Sequence, residues 1–182
     1  GDQLVQSSQH FQLNIDLGAM LTVRYEDDSH TAVFGDLKMI WGIPNLSEPA
    51  PDITIVPNVK NKKINRTAFK VKEEGTKPCL IVEIAFPNYP FDDTAKVEIY
   101  QQAGIEEYII IDPEYEETGF KVWGYRLIQG QYQPIKPDAE GRILSQTTDL
   151  YFMVVQEQDE ANLKLADAKT KQPLLNQQQT NQ

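Results

Sequence analysis

One residue constrains this chain more than any other. Glu83 sits in the run Leu80-Ile81-Val82-Glu83-Ile84-Ala85-Phe86, which is otherwise apolar and rich in β-branched side chains. A run of that length predicts a strand, and one without alternating polarity predicts a strand covered on both faces of its sheet. A carboxylate inside such a strand is costly to bury unless it is paired, hydrogen-bonded or bound to a metal. The chain must therefore build a covered sheet and bring partners to this one acid. A second acid, Asp52, opens another β-branched run, Pro51-Asp52-Ile53-Thr54-Ile55-Val56, thirty-one positions earlier.

The residues after Glu83 set the local topology. Pro87-Asn88-Tyr89-Pro90 predicts a turn. Asp92 or Asp93 then offers an N-cap for a helix reaching about Ala103, with Gly104 as a left-handed stop. Ile105 to Ile111 predicts the next strand, ended by the turn Asp112-Pro113. Strand, helix and strand in this order make a βαβ unit with parallel strands and a right-handed crossover.

Around that unit, apolar residues recurring at three and four predict a helix over 11–25, after a loose segment 1–10. One strand is expected over 31–41, interrupted at Gly35-Asp36, and another over 53–56. A hairpin is expected from 119–128 and 131–135 about Gln129-Gly130, then short strands over 142–144 and 150–155. The domain plan is a flexible 1–10, one α/β domain over 11–155, a hairpin appendage over 156–175 and a disordered glutamine-rich tail over 176–182.

At 182 residues, 40% of them hydrophobic, the chain suits one domain with a real core. Its net charge of −10 argues against binding nucleic acid by bulk attraction. Between Asn58 and Lys77, however, seven cations (Lys60, Lys62, Lys63, Arg66, Lys70, Lys72 and Lys77) face two anions (Glu73 and Glu74), a local +5. That segment is expected to be irregular. It reads either as a solvated loop or, with Lys60, Lys62, Lys63 and Arg66, as a nucleic-acid contact beside the site.

A single cysteine, Cys79, rules out an intrachain disulfide and a cysteine zinc cluster, and reads as a buried structural thiol. The two histidines, His10 and His30, lack ligand spacing. Trp41 and Trp123 read as core or interface aromatics rather than base-stacking platforms. No cationic start followed by an apolar stretch marks a signal peptide, and no apolar run reaches the roughly 20 residues of a membrane helix. These features lead to the expectation of a cytoplasmic protein with no membrane partner.

Two acids on neighbouring strands and a lysine on the following helix suit one chemistry. Hydrolysis of a phosphodiester needs a hydroxide nucleophile, neutralised phosphoryl charge and a stabilised leaving oxygen, and a bound Mg²⁺ or Mn²⁺ serves all three. Asp52 and Glu83 would grip the ion, and the backbone carbonyl of Ile84 could add a third ligand. Lys96, thirteen residues after Glu83, shares a helix face with Tyr100 and Ala103. It would orient or deprotonate the attacking water.

The ordered set Pro51-Asp52, Val82-Glu83-Ile84, Asp93-x-x-Lys96-x-x-x-Tyr100, Ala103-Gly104-Ile105-x-Glu107-Tyr108 and Asp112-Pro113 resembles the bacterial putative-restriction-endonuclease, or Uma-two, family of the PD-(D/E)xK nuclease superfamily. The resemblance covers roughly residues 30 to 155. It implies an α/β, restriction-endonuclease-like core, a mixed central sheet flanked by helices, to which the strand pattern of the chain adds C-terminal β-hairpins. It implies Asp52, Glu83 and Lys96 as catalytic residues and Mg²⁺ or Mn²⁺ as cofactor. Lys96 stands in for the lysine that usually lies two residues after the glutamate, where this chain has Ala85. Asp36 and Tyr100 are secondary candidates, and Asp16 and Glu26 are candidates for an acid on the first helix.

The implied function is a DNA endonuclease, acting as a homodimer where both strands are cut. The alternatives are a catalytically weakened module binding nucleic acid or protein, and a hydrolase of another phosphate ester.

Overall fold

The computed structural model describes residues 2–85, 93–115 and 119–176. Its centre is the expected βαβ unit. Strand β5 (Leu80–Ile84) is buried along its whole length, as is nearly all of β6 (Glu107–Asp112). The two are parallel, with Glu83 opposite Ile110. Helix α3 (Asp93–Gln102) connects them and stops at Gly104, whose φ of 74° is the left-handed conformation glycine adopts without strain. The expected cap at Asp92 and the turn 87–90 lie outside the described residues.

Antiparallel strands extend this pair on both sides. β1 (Ala32–Gly35) and β3 (Ile53–Val56) add to the β5 edge, while β7 (Lys121–Ile128) and β8 (Gln131–Pro134) add to the β6 edge. The resulting six-stranded mixed sheet has the order β1-β3-β5-β6-β7-β8. The β7–β8 hairpin turns at Gln129 and Gly130, both at positive φ, the geometry that matches the twist of paired strands. Gly124 in β7 is required by close approach, since a Cβ there would lie 2.8 Å from the Tyr108 carbonyl oxygen.

Each face of the sheet is covered, as the uniformly apolar strands demand. On one face, helix α1 (Asp2–Arg24) lays down Leu17, Met20 and Leu21 against Ile53, Val82 and Ile109. The same face takes a three-stranded sheet of β9 (Ile143–Ser145), β10 (Leu150–Glu157) and β11 (Glu160–Asp167) through Ile143, Phe152 and Leu165. On the other face lie α3 and a two-stranded parallel sheet of β2 (Lys38–Ile40) and β4 (Ala68–Lys70), which supply Tyr100, Ala103, Met39 and Phe69.

Several expectations change. Helix α1, expected from residue 11, is already under way at Asp2. The strand expected over 31–41 is two strands in different sheets, because Asp36 takes a φ of 49° and breaks the extended run. Segment 58–77 contains β4 and the single turn α2 (Val71–Glu74). The later hairpin pairs β10 with β11, so a boundary at 155 falls inside β10, and Leu165 belongs to the common core. Of the expected tail, 177–182 lies outside the described residues. No helix among the described residues is long and apolar enough to cross a membrane.

The C-terminal sheet is joined to the central one by a buried carboxylate. Glu107 is 1% exposed. It accepts from Arg126 Nε and Nη2 at 3.3 and 3.2 Å, from Ser145 Oγ at 2.8 Å, and from the backbone amides of Gln146 and Thr147 at 2.8 and 3.0 Å. Replacing it strands a guanidinium and several donors inside the protein. Glu107→Ala is expected to cost about 3–5 kcal/mol in urea unfolding, the scale for breaking one side of a buried ion pair. A loss below about 1 kcal/mol would remove Glu107 from this role. Burial also pushes the Cys79 thiol up to about 11. Alkylation near pH 8 should therefore be slow in the folded protein and fast in urea.

Candidate active site

The end of β3 positions the first acid. The ladder between β3 and β5 runs through Ile53 opposite Val82 and then stops. One residue earlier, the side chain of Asp52 takes over from the backbone: its Oδ2 accepts the Ile84 amide hydrogen at 2.8 Å. The Ile84 carbonyl oxygen accepts from His10 Nε2 at 2.8 Å, so that ring nitrogen carries the proton. The last residue of β5 is thus held by a carboxylate at its amide and by an imidazole from α1 at its carbonyl. Burial is the largest influence on Asp52 and raises its carboxyl above the usual range, while the Ile84 amide, His10 and Lys96 pull it down.

Glu83 points to the opposite face, toward α3. It is 5% exposed, and three groups meet it. Tyr100 donates its hydroxyl to Oε1 at 2.5 Å, Lys96 Nζ lies 3.5 Å from the same oxygen, and Tyr108 donates to Oε2 at 3.4 Å. Tyr100 and Lys96 are four apart, so both reach the strand from one helix face. Burial again dominates and raises the Glu83 carboxyl, with the nearby Asp52 charge acting in the same direction. Burial and the Glu83 carboxylate push the Tyr100 hydroxyl far up, so it remains a donor throughout the accessible pH range.

Of the sequence-derived candidates, Asp52, Glu83, the Ile84 backbone, Lys96 and Tyr100 gather at this end of the sheet. Asp36 joins them: it is exposed, its amide donates to the Asp52 carbonyl at 3.1 Å, and its charge raises the Asp52 carboxyl. Ala85, at the usual lysine position, is buried. Asp16 accepts instead from Gln12 at 2.8 Å and lines a groove of about 790 Å³ between α1 and the β10–β11 hairpin, a groove that none of Asp52, Glu83 and Lys96 borders. Glu26 lies in the turn after α1.

The basic segment leaves β3 at Val56, the end opposite Asp52, rather than beside the site. Three of its cations serve the fold, Lys77 by donating to the Ala103 carbonyl at 3.3 Å. Lys62 donates to the carbonyls of Tyr25, Asp28 and Thr31, and Arg66 pairs with Glu74 and reaches the carbonyls of Lys60 and Asn61. Lys60 and Lys63 are exposed.

Sequence reasoning missed His10. It lies in a segment expected to be loose, and its partner is a backbone carbonyl 74 residues away, so no spacing rule could have found it.

The donor set suits a hard divalent cation. The Asp52 carboxylate lies close enough to raise the Glu83 carboxyl, and the Ile84 carbonyl keeps a second lone pair after accepting from His10. Among the described residues no three Asp, Glu, His or Cys side chains form a ready-made metal cage. Mg²⁺ does not require one, since it binds through one or two carboxylates, waters and substrate phosphate.

A family model described as Uma2, putative restriction endonuclease, matches residues 3–155. A solved structure of a putative nuclease belonging to DUF820 from Anabaena variabilis superposes with a TM-score of 0.55 at 16% identity, covering 76% of this chain and 73% of that one, which is a likeness of fold. No curated protein matches the sequence.

The raised carboxyls have a thermodynamic consequence. A folded-state pKa above the unfolded value means that the carboxyl contributes stability at acid pH, which is lost as pH rises through the folded value. Asp52→Asn is therefore expected to be more stable than the parent at pH 7, by about 1 kcal/mol. The gain should shrink as pH falls through the folded value toward the ordinary carboxylate range near pH 4, because the parent can then relieve the buried charge by taking up a proton. Urea melts of both proteins at the two pH values check this, and a variant destabilised at pH 7 would refute it.

Proposed function

The chain belongs to the Uma2 family of putative restriction endonucleases, and from that premise we propose that it is a divalent-metal-dependent endonuclease hydrolysing DNA phosphodiester bonds. The single observation that supports the reading most is a convergence of side chains: Asp52 holds the Ile84 amide, next in the chain to Glu83, and the Lys96 amine lies 3.5 Å from the Glu83 carboxylate. Asp52, Glu83 and the Ile84 carbonyl would hold Mg²⁺ or Mn²⁺. The bound ion would lower the pKa of a water and neutralise phosphoryl charge.

The chain's own residues do the rest. The Ile84 amide fixes one oxygen of Asp52, and among the described residues the other has no hydrogen-bond partner that would compete with a ligand. Tyr100 and Tyr108 hold Glu83 in one rotamer from two sides, so its position does not depend on the ligand being bound. Lys96, about one-third exposed along its side chain, bridges the buried acid and solvent. It is placed to orient the attacking water and to offset charge on the phosphate. Exposed Lys60 and Lys63 are available for phosphate contacts farther along the DNA. Cutting both strands of a duplex takes two sites, which a two-fold homodimer would supply.

Buried Ala85 at the usual lysine position, together with the net charge of −10, favours a second reading: a module on the same fold that binds nucleic acid or protein without cutting. One assay separates the two. Purified protein is incubated with supercoiled plasmid and Mg²⁺ or Mn²⁺, and nicked and linear products are followed. Cleavage is expected with metal and not with chelator. Asp52→Ala and Glu83→Ala should abolish it, and Lys96→Ala should slow it by about 10²–10⁴-fold. Cleavage that survives both acid substitutions, or no cleavage by the parent with either metal, would overturn the endonuclease reading.

A further inference from the structure

The row of residues through Glu83 continues across the sheet. Glu83 pairs with Ile110 and Ile110 with Trp123, so all three side chains stand on one face, in line. Trp123 is two strand spacings from Glu83, about 10 Å. Other aromatics packed on this face, Tyr100, Tyr108 and Trp41, are buried, whereas Trp123 is partly exposed. Lys121, two residues earlier on β7 and exposed, places its Nζ 4.8 Å from the Trp123 ring centroid and 4.6 Å from that of Tyr115. The two ring centroids are 6.4 Å apart.

We propose that Trp123, with Tyr115 and Lys121, forms a stacking platform for an unpaired base of a single-stranded DNA segment flanking the bond to be cut. The proposal rests on the nuclease reading and names the substrate class that the site prefers.

Three physical points carry it. The platform shares the face and row of Glu83. Its distance matches about three nucleotides at the rise of about 3.4 Å per nucleotide in one stacked strand. Relative strengths favour exchange of ligands on the ring: an exposed cation–π contact is weaker than base–aromatic stacking. A base can therefore displace the Lys121 ammonium from Trp123, and the ammonium then meets the adjoining phosphate.

Charge points the same way. A chain of net charge −10 cannot rely on bulk attraction for duplex DNA, so its affinity must come from local contacts. A ring can offer stacking only to a base whose face is open, which a paired duplex lacks.

The test uses the full chain as Asp52→Asn, chosen so that binding is read apart from cleavage, and a short single-stranded oligothymidylate. Trp41 is 2% exposed, so quenching by the oligonucleotide reports Trp123. Quenching is expected, and it should vanish in the Trp123→Phe background. By anisotropy of a labelled oligonucleotide, Trp123→Ala should weaken binding by about fivefold or more. Trp123→Phe, which keeps an aromatic face and guards against misfolding, should restore most of that affinity. In the cleaving parent, Trp123→Ala should raise KM for single strands with kcat retained.

Plasmid cleavage without quenching, and with an unchanged KM in Trp123→Ala, would overturn the platform while leaving the nuclease reading intact. Equal quenching by duplex of the same sequence would overturn the preference for unpaired bases. Quenching and loss of affinity without cleavage by the parent would support the platform and sink the nuclease reading.

Discussion

The junction between Asp52 and the Ile84 peptide is the constraint on which the candidate site depends. At the end of β5 the sheet runs out of ladder partners on the β3 side, and an unpaired amide and carbonyl would be left at a half-buried edge. Such groups are rarely tolerated without a partner. Here the carboxylate of Asp52 satisfies the amide and the imidazole of His10 satisfies the carbonyl. The same contacts that close the sheet edge set an acid beside a carbonyl oxygen, with Glu83 one residue earlier on the same strand. Structure and candidate chemistry are solved by one set of hydrogen bonds.

Glu83 shows the cost of that arrangement and how the fold offsets it. Its carboxylate is removed from water inside a covered sheet, and burial alone would neutralise it. Two tyrosine hydroxyls and one ammonium are brought to it instead, two of the three from a single face of α3. This works because the crossover helix of a βαβ unit begins where its first strand ends and returns over the same face. The residual upward shift of both carboxyls is strain that a cation would relieve, a common pattern where stability is traded for function. Glu107 is the contrasting case. It is equally buried, yet saturated by donors, and it serves to fasten the C-terminal sheet to the central one.

Much of this was legible because it depends on local pattern. The parallel pair β5–β6, its helix, the stop at Gly104 and the hairpin at Gln129-Gly130 follow from period, caps and turn residues, all read within a few positions. What escaped depends on distant partners. His10 gains its role only because α1 begins at Asp2 and passes the end of β5. The split of the 31–41 segment between two sheets is decided by Asp36 at positive φ and by which strands are free to pair. Lys62 and Arg66 look in sequence like a phosphate-binding loop, but carbonyls from the turn after α1 and the acid of α2 claim them first. Trp123 reads as a core or interface aromatic in sequence. Its partial exposure is decided by tertiary packing over that part of the face.

The sequence by itself determined that the sheet must be covered on both faces, that Glu83 must be answered by partners, and which helix follows it. These are consequences of hydrophobicity, charge and backbone preference, which act at short range along the chain. Only the tertiary structure decided which groups answer Glu83, that His10 rather than a first-helix acid stands at the site, and that the basic segment lies at the far end of β3. Those outcomes turn on strand order and register, where a shift of a single residue exchanges the two faces of a sheet.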